Sequence, residues 1–70
     1  MVTIYVRLVG EGVDVWRPVL ANEGPDRTYL IDPNSAVPRD EQWEFQPGER
    51  VRCCDMLLTG RNVLVAVASA

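Results

Sequence analysis

Apolar and polar residues alternate through the first part of the chain. Apolar side chains occupy every second position from Val2 to Leu8, and branched or aromatic residues are frequent there, a pattern that is typical of a β-strand with one buried face. Gly10 and Gly12 interrupt the alternation, and residues 13–21 resume it. The pattern therefore predicts two strands that are joined by a glycine-containing turn, that is, a β-hairpin.

The length of that turn decides which side chains face the core. A two-residue turn at Glu11-Gly12 places Leu8 opposite Val15 and collects the aliphatic side chains on one face. Tyr5 then lies opposite Pro18, and Arg7 lies opposite Trp16, on the outward face. A three-residue turn shifts the register by one position and places Trp16 beside Val6 in the core. We favour the first register. Because Pro18 has no N–H group, we expect an edge, a bend or a bulge at this point of the second strand.

Three further strands are predicted between turns that are rich in glycine and proline. Residues 27–31 form the third, residues 50–58 the fourth and residues 62–68 the fifth. Residues 32–42 contain two prolines and three acidic side chains, so they predict a long irregular loop. The motif Trp43-Glu44-Phe45 predicts two buried aromatic side chains on either side of an exposed carboxylate.

Five short strands in so small a chain are too few for two packed sheets. They can close into a barrel, which removes exposed strand edges. Val51 and Cys53 share one parity in the fourth strand, whereas Met56 and Leu58 have the opposite parity. A β-bulge near Cys54-Asp55 reconciles the two halves and bends the strand. We therefore predict an all-β fold, a small barrel of about five antiparallel strands.

Two strings of residues resemble a known group of sequences. Together, Val15-Trp16-Arg17-Pro18-Val19 and Trp43-Glu44-Phe45-Gln46-Pro47-Gly48 are similar to short, uncharacterised bacterial proteins with an SH3-like β-barrel, and the similarity extends over nearly the whole chain. The resemblance implies an SH3-like barrel and a bacterial cytoplasmic setting. It implies no activity and no catalytic residue, because fold alone does not carry function.

Composition removes several classes of chemistry. The chain has 70 residues, enough for a single domain over residues 1–70. It contains no His, and all seven basic residues are Arg, so imidazole bases and Schiff-base lysines are excluded. Its formal charge of −3 disfavours nucleic-acid binding. No apolar stretch is long enough to cross a membrane, and no signal peptide is recognisable, so we expect a cytoplasmic protein without membrane contact.

The adjacent thiols of Cys53 and Cys54 are the first candidates for reactive groups. Neighbouring side chains in a strand point to opposite faces, so one thiol is expected in the core and the other at the surface. Zinc sites need spaced thiols and four ligands in all, and this chain offers two adjacent thiols and no His. The expected roles are Cys53 as a core residue and Cys54 as a surface thiol.

Acidic residues around the long loop are the candidates for metal ligands. Carboxylates can hold a hard cation when they converge, and those in question are Asp32, Asp40, Glu41 and Glu44. Their spacing does not match a calcium-binding loop, so a solvated acidic loop is the favoured interpretation. We therefore predict no metal, no cofactor and no enzymatic activity.

Two surfaces are candidates for binding. The first is the outward face of the predicted hairpin, which combines aromatic, arginine and proline side chains typical of binding hot spots: Tyr5, Arg7, Trp16 and Pro18. A purely structural alternative is that Arg7 stacks on Trp16 as a cation–π pair. The second is the reverse face of the last strand, whose apolar side chains need a cover that is either the chain's own long loop or a second copy of the protein in a homodimer; its residues are Leu64, Ala66 and Ala68.

Three functional classes follow from these observations. The favoured one is a non-catalytic protein-interaction or accessory module whose partner the sequence does not identify. The alternatives are a small barrel associated with nucleic acid or ribosomes, which the acidic charge disfavours, and a homodimeric structural protein.

Overall fold

Five strands pair side by side around a closed ring, in the order in which they occur along the chain. The computed structural model describes all residues from 1 to 70. The strands are β1 (Val2–Leu8), β2 (Val15–Glu23), β3 (Thr28–Ile31), β4 (Arg50–Leu58) and β5 (Arg61–Ser69). This architecture confirms the predicted all-β barrel of five strands. The only helical segment is a 3-10 turn at Pro25–Arg27, and no helix has the length and apolar character needed to cross a membrane.

Successive strands pair antiparallel, and the ring closes through one parallel pair. In that pair Tyr5 of β1 lies opposite Val65 of β5. The direction follows from the number of strands, because in an up-and-down order of five the first and last strands run the same way. A single pair holds this seam, so β1 and β5 are joined less extensively than the two hairpins are.

The β1–β2 hairpin has the register that a two-residue turn requires. Leu8 lies opposite Val15, and Ile4 lies opposite Val19. The interpretation of Trp16 as a core residue of the shifted register is therefore wrong. The regular pairing stops at Leu8 and Val15, so the connection covers residues 9–14. Since β2 pairs with β3 only over its last three residues, Pro18 lies in an edge stretch of β2, as its missing N–H group predicts.

The irregular segment after β3 returns to the barrel and adds two aromatic side chains to the core. The Val9 N–H group donates to the Gln42 carbonyl at 2.8 Å, and the Glu44 N–H group donates to the Arg7 carbonyl at 2.9 Å. Trp43 and Phe45 are buried and Glu44 is exposed, as predicted. The core cluster consists of Ile4, Val6, Leu8, Val19, Ala21, Tyr29, Ile31, Trp43, Phe45, Val51, Cys53 and Ala66.

The β4–β5 hairpin contains a bulge, at a position that differs from the predicted one. Arg52 lies opposite Ala68 and Cys53 lies opposite Ala66, so Val67 is an extra residue on β5. The predicted site, Cys54-Asp55 in β4, is wrong, because β4 keeps its alternation from Cys53 to Leu58. Met56 and Leu58 are partly buried on the face opposite to Cys53, so the change of parity in the sequence reflects burial on both faces of β4 and not an extra residue. The bulge decides which side chains of β5 face the core.

Candidate interaction surface on the first hairpin

The four side chains predicted for a binding surface lie together on the outside of the β1–β2 hairpin. Tyr5 pairs with Pro18, and Arg7 pairs with Trp16 two positions further along the ladder. Directly opposed side chains share one face of a sheet, and every second pair projects to the same face, so the four side chains lie together. Arg7 and Pro18 are exposed, whereas Tyr5 and Trp16 are half-buried. We call this set the outer face of the first hairpin.

A cavity lies beside Trp16, and both aromatic side chains line it. It has a volume of about 420 Å³ and lies between the start of β2 and the end of β4. Its lining residues are Tyr5, Asp14, Val15, Trp16, Leu58 and Thr59. We call it the Trp16 cavity. Tyr5 also lines a second cavity, on the side of residues 61–64. The end of the β4–β5 hairpin therefore lies next to Tyr5, with one cavity on each side.

An exposed ion pair lies at the rim of the Trp16 cavity. The Arg7 guanidinium donates to Oδ1 of Asp14 at 3.2 Å, and the two side chains are 46% and 73% exposed. An exposed pair of this kind contributes about 0–1 kcal/mol. Strand pairing therefore places Arg7 opposite Trp16, and the ion pair with Asp14 adds little to holding it there.

A second carboxylate, Glu41, ties the hairpin to the irregular segment. The Arg17 guanidinium donates to Glu41 through two nitrogens, one of them Nε at 3.1 Å, and the Trp43 indole N–H group donates to Glu41 at 3.0 Å. The Glu41 side chain is only 10% exposed. Sequence reasoning placed Glu41 in a solvated acidic loop, and no local signal connects it with Arg17, 24 positions earlier.

The two thiols occupy the two faces of β4, as alternation predicts. Cys53 is buried in the core and Cys54 is exposed, and both are free. Burial, followed by the adjacent Cys54, raises the pKa of the Cys53 thiol to about 11. Cys53 is therefore a protonated core side chain at neutral pH and not a thiolate nucleophile.

The acidic loop does not gather its carboxylates. Of the four candidates, Glu41 is engaged by Arg17 and Trp43, and Asp32 accepts the Asn34 N–H group at 3.0 Å. No group of three or more His, Cys, Asp or Glu side chains lies close enough together to hold a metal ion. In addition, every buried side-chain nitrogen or oxygen has a hydrogen-bond partner.

The three apolar side chains proposed for a dimer contact do not form one outward face. Ala66 is 2% exposed and belongs to the core cluster, and Leu64 packs against that cluster. Only Ala68 is exposed. The extra residue Val67 reverses the parity of β5 between Ala66 and Ala68, which strict alternation along the sequence does not foresee.

The fold and this surface define a small closed all-β barrel with an aromatic outer face. Comparison of the chain with protein-family models, with curated proteins and with solved structures finds no match. The similarity to SH3-like bacterial proteins therefore stays a prediction.

Proposed function

We propose that this protein is a non-catalytic protein-interaction module that binds its partner through the outer face of the first hairpin. The proposal includes the bacterial cytoplasmic setting that the sequence resemblance implies. The observation that carries it is the position of Tyr5 and Trp16, which lie half-exposed on one face and border the same open cavity. Aromatic side chains in such positions supply large, rigid contact areas, and they dominate many binding hot spots.

The other cavities are less suited to binding a protein partner. The groove along β2 is bordered by Arg17, whose guanidinium is already engaged by Glu41. The cavity next to residues 39–42 has Val9 as its only apolar lining residue. The Trp16 cavity combines two aromatic rings with Leu58. Apolar walls with a few polar groups are the usual composition of a binding site.

Partner capture followed by a binding measurement tests the proposal. The full chain is immobilised, proteins retained from a native lysate are identified by mass spectrometry, and the dissociation constant of each is measured with purified components. Trp16→Ala should weaken binding at least about tenfold, because truncating a hot-spot aromatic removes its contacts and exposes its partner's apolar surface.

Leu57→Ala is the matched control. Leu57 is 66% exposed and lies on β4, outside the Trp16 cavity, so its truncation should change the dissociation constant less than about twofold. Pro18→Ala provides a second variant on the exposed part of the outer face, for use if Trp16→Ala does not fold. Equal binding by the Trp16, Pro18 and wild-type proteins, with folded NMR spectra, would contradict the proposal.

A further inference from the structure

We infer that the Trp16 cavity binds a methylated ammonium group carried by a segment of the partner protein. This inference rests on the proposed function and names the chemistry by which that surface recognises its partner. It follows from the kinds of side chain that line the cavity, from their charge and from the cation that the chain itself places at the rim.

The lining combines two aromatic rings with one carboxylate. Tyr5 and Trp16 contribute the rings, and Asp14 is the only charged residue among the six that line the cavity. The faces of aromatic rings carry negative potential and attract cations, Trp most strongly. Asp14 adds a full negative charge. Only Oδ1 of Asp14 accepts a hydrogen bond, so Oδ2 is available to a cation in the cavity.

The chain's own Arg7 already places a positive charge at this rim. Its guanidinium reaches Asp14 at 3.2 Å from the position opposite Trp16. Because both partners are largely exposed, the ion pair is weak and a ligand cation can share or replace it. The other nearby arginine, Arg61, lines the neighbouring cavity and not this one. Arg7 is therefore the group with which a ligand competes.

A methylated ammonium fits this site better than an anion or a primary ammonium does. An anion would meet the carboxylate of Asp14 and a chain of net charge −3. A primary ammonium is strongly hydrated and loses that hydration on an aromatic surface. Methyl groups spread the positive charge and add apolar area that Leu58 and the rings can contact. Aromatic surfaces with a nearby carboxylate are suited to this kind of cation.

Choline and 3,3-dimethylbutan-1-ol test the role of charge, because they share one shape and differ in the positive nitrogen. Each is titrated into the labelled full chain at constant ionic strength, and the indole N–H resonance of Trp16 is followed by NMR. Choline should bind at least about threefold more tightly than the neutral alcohol. The Trp43 indole N–H group is bonded to Glu41, so its resonance should not move.

Two charge variants should change choline binding in opposite directions. Asp14→Asn removes the carboxylate and should weaken binding about twofold to fivefold, whereas Arg7→Gln removes the competing cation and should strengthen it by a similar factor. Spectra of the remaining amides report whether each variant is folded. Equal affinity for choline and the alcohol, or the same direction of change in both variants, would overturn the inference.

The outcomes separate this inference from the proposed function. Partner binding that depends on Trp16, together with no preference for choline, removes the cation site and keeps the interaction module. Charge-dependent choline binding without any Trp16-dependent protein partner keeps the cation site, but it contradicts both the protein-interaction module and the assignment of the ammonium to a partner protein. Each hypothesis therefore has its own contradicting result.

Discussion

The two hairpins of this barrel have similar lengths but bury their side chains differently. The β1–β2 hairpin keeps one register over seven consecutive pairs, from Val2 opposite Ala21 to Leu8 opposite Val15. The β4–β5 hairpin changes register between Arg52 and Cys53. The first hairpin has one buried face and one open face, whereas the second places buried side chains on both faces.

Two neighbouring residues of β5 illustrate the second case. Ala66 belongs to the core cluster, whereas Val65 is 0% exposed and is not part of it. Val65 lies opposite Cys54, on the face of the hairpin that turns away from Cys53, and it pairs with Tyr5 at the seam of the ring. The seam therefore buries a side chain on the outer side of the sheet. A simple alternation of inside and outside describes β1, but it does not describe β5.

The largest expected effect is on stability, and it distinguishes a core residue of the β1–β2 hairpin from an exposed residue near the end of the β4–β5 hairpin. Ile4→Ala removes a fully buried side chain and should destabilise the protein by about 2–5 kcal/mol, which is comparable with the whole stability of a domain this small. Leu57→Ala should change the free energy of unfolding by less than about 0.5 kcal/mol. Urea unfolding followed by tryptophan fluorescence measures both. Similar losses in the two variants would show that the end of the β4–β5 hairpin is as important for stability as the barrel interior.

The sequence predicts the parts of this fold that depend on near neighbours. Alternation gives the bounds of β4, the inward face of β1 and the outward position of Tyr5, because each depends on residues within one hairpin. Contacts between distant segments were not predicted. The pairing of Leu8 with Trp43 depends on the path of an irregular loop, and local propensity does not determine that path.

The candidate site is predictable to the same extent. The register that the sequence favours over the shifted alternative places Trp16 beside Arg7, and the structure has this register. The approach of Leu58 and Thr59, which creates the Trp16 cavity, arises from the seam between β5 and β1. The periodicity of either hairpin does not predict this contact, because the contact joins strands from opposite ends of the chain.

The turn of the β4–β5 hairpin has a strained backbone, whereas the connection of the β1–β2 hairpin does not. A substitution at Thr59 tests this difference. Thr59 and Gly60 both have positive φ, 47° and 80°, as in a type I′ turn, which favours Asn-Gly over Thr-Gly. A branched side chain is strained in this region, whereas the connection of the first hairpin places glycines at its positive-φ positions, Gly10 and Gly12. Thr59→Asn should therefore stabilise the protein by about 0.5–1 kcal/mol in urea unfolding.

Thr3→Asn is the control for this turn substitution. Thr3 is an exposed residue within β1, where Asn has a lower strand propensity than Thr, so the same change should destabilise the protein slightly. A loss of stability at both positions would mean that Thr59 stabilises the turn in another way, for example through its hydroxyl group, which donates to the Leu58 carbonyl at 2.8 Å.

The smallest expected effect concerns the base of the β4–β5 hairpin and depends on pH. Ser69 donates its hydroxyl to Oε2 of Glu49 at 2.6 Å, and the Gln46 N–H group donates to Oε1 at 3.0 Å. These bonds hold the pKa of Glu49 below its ordinary value of 4.5, with Ser69 as the largest cause. A lowered pKa stabilises the fold above the unfolded-state value, and this contribution is lost as the pH falls through the folded-state pKa.

Ser69→Ala should therefore destabilise the protein at pH 6 by a few tenths of a kcal/mol, since the pair is largely exposed to solvent. The difference from wild type should shrink as the pH is lowered toward 3, because acidification protonates the Glu49 carboxyl and removes the charge that the Ser69 hydroxyl stabilises. Urea unfolding at the two pH values measures this difference in the free energy of unfolding. Ser35→Ala is the control, because the hydroxyl of Ser35 does not bond to a carboxylate. A loss that is equal at pH 6 and pH 3 would mean that Ser69 acts through packing at the end of β5, and that the charge of Glu49 does not contribute to holding this hairpin at its base.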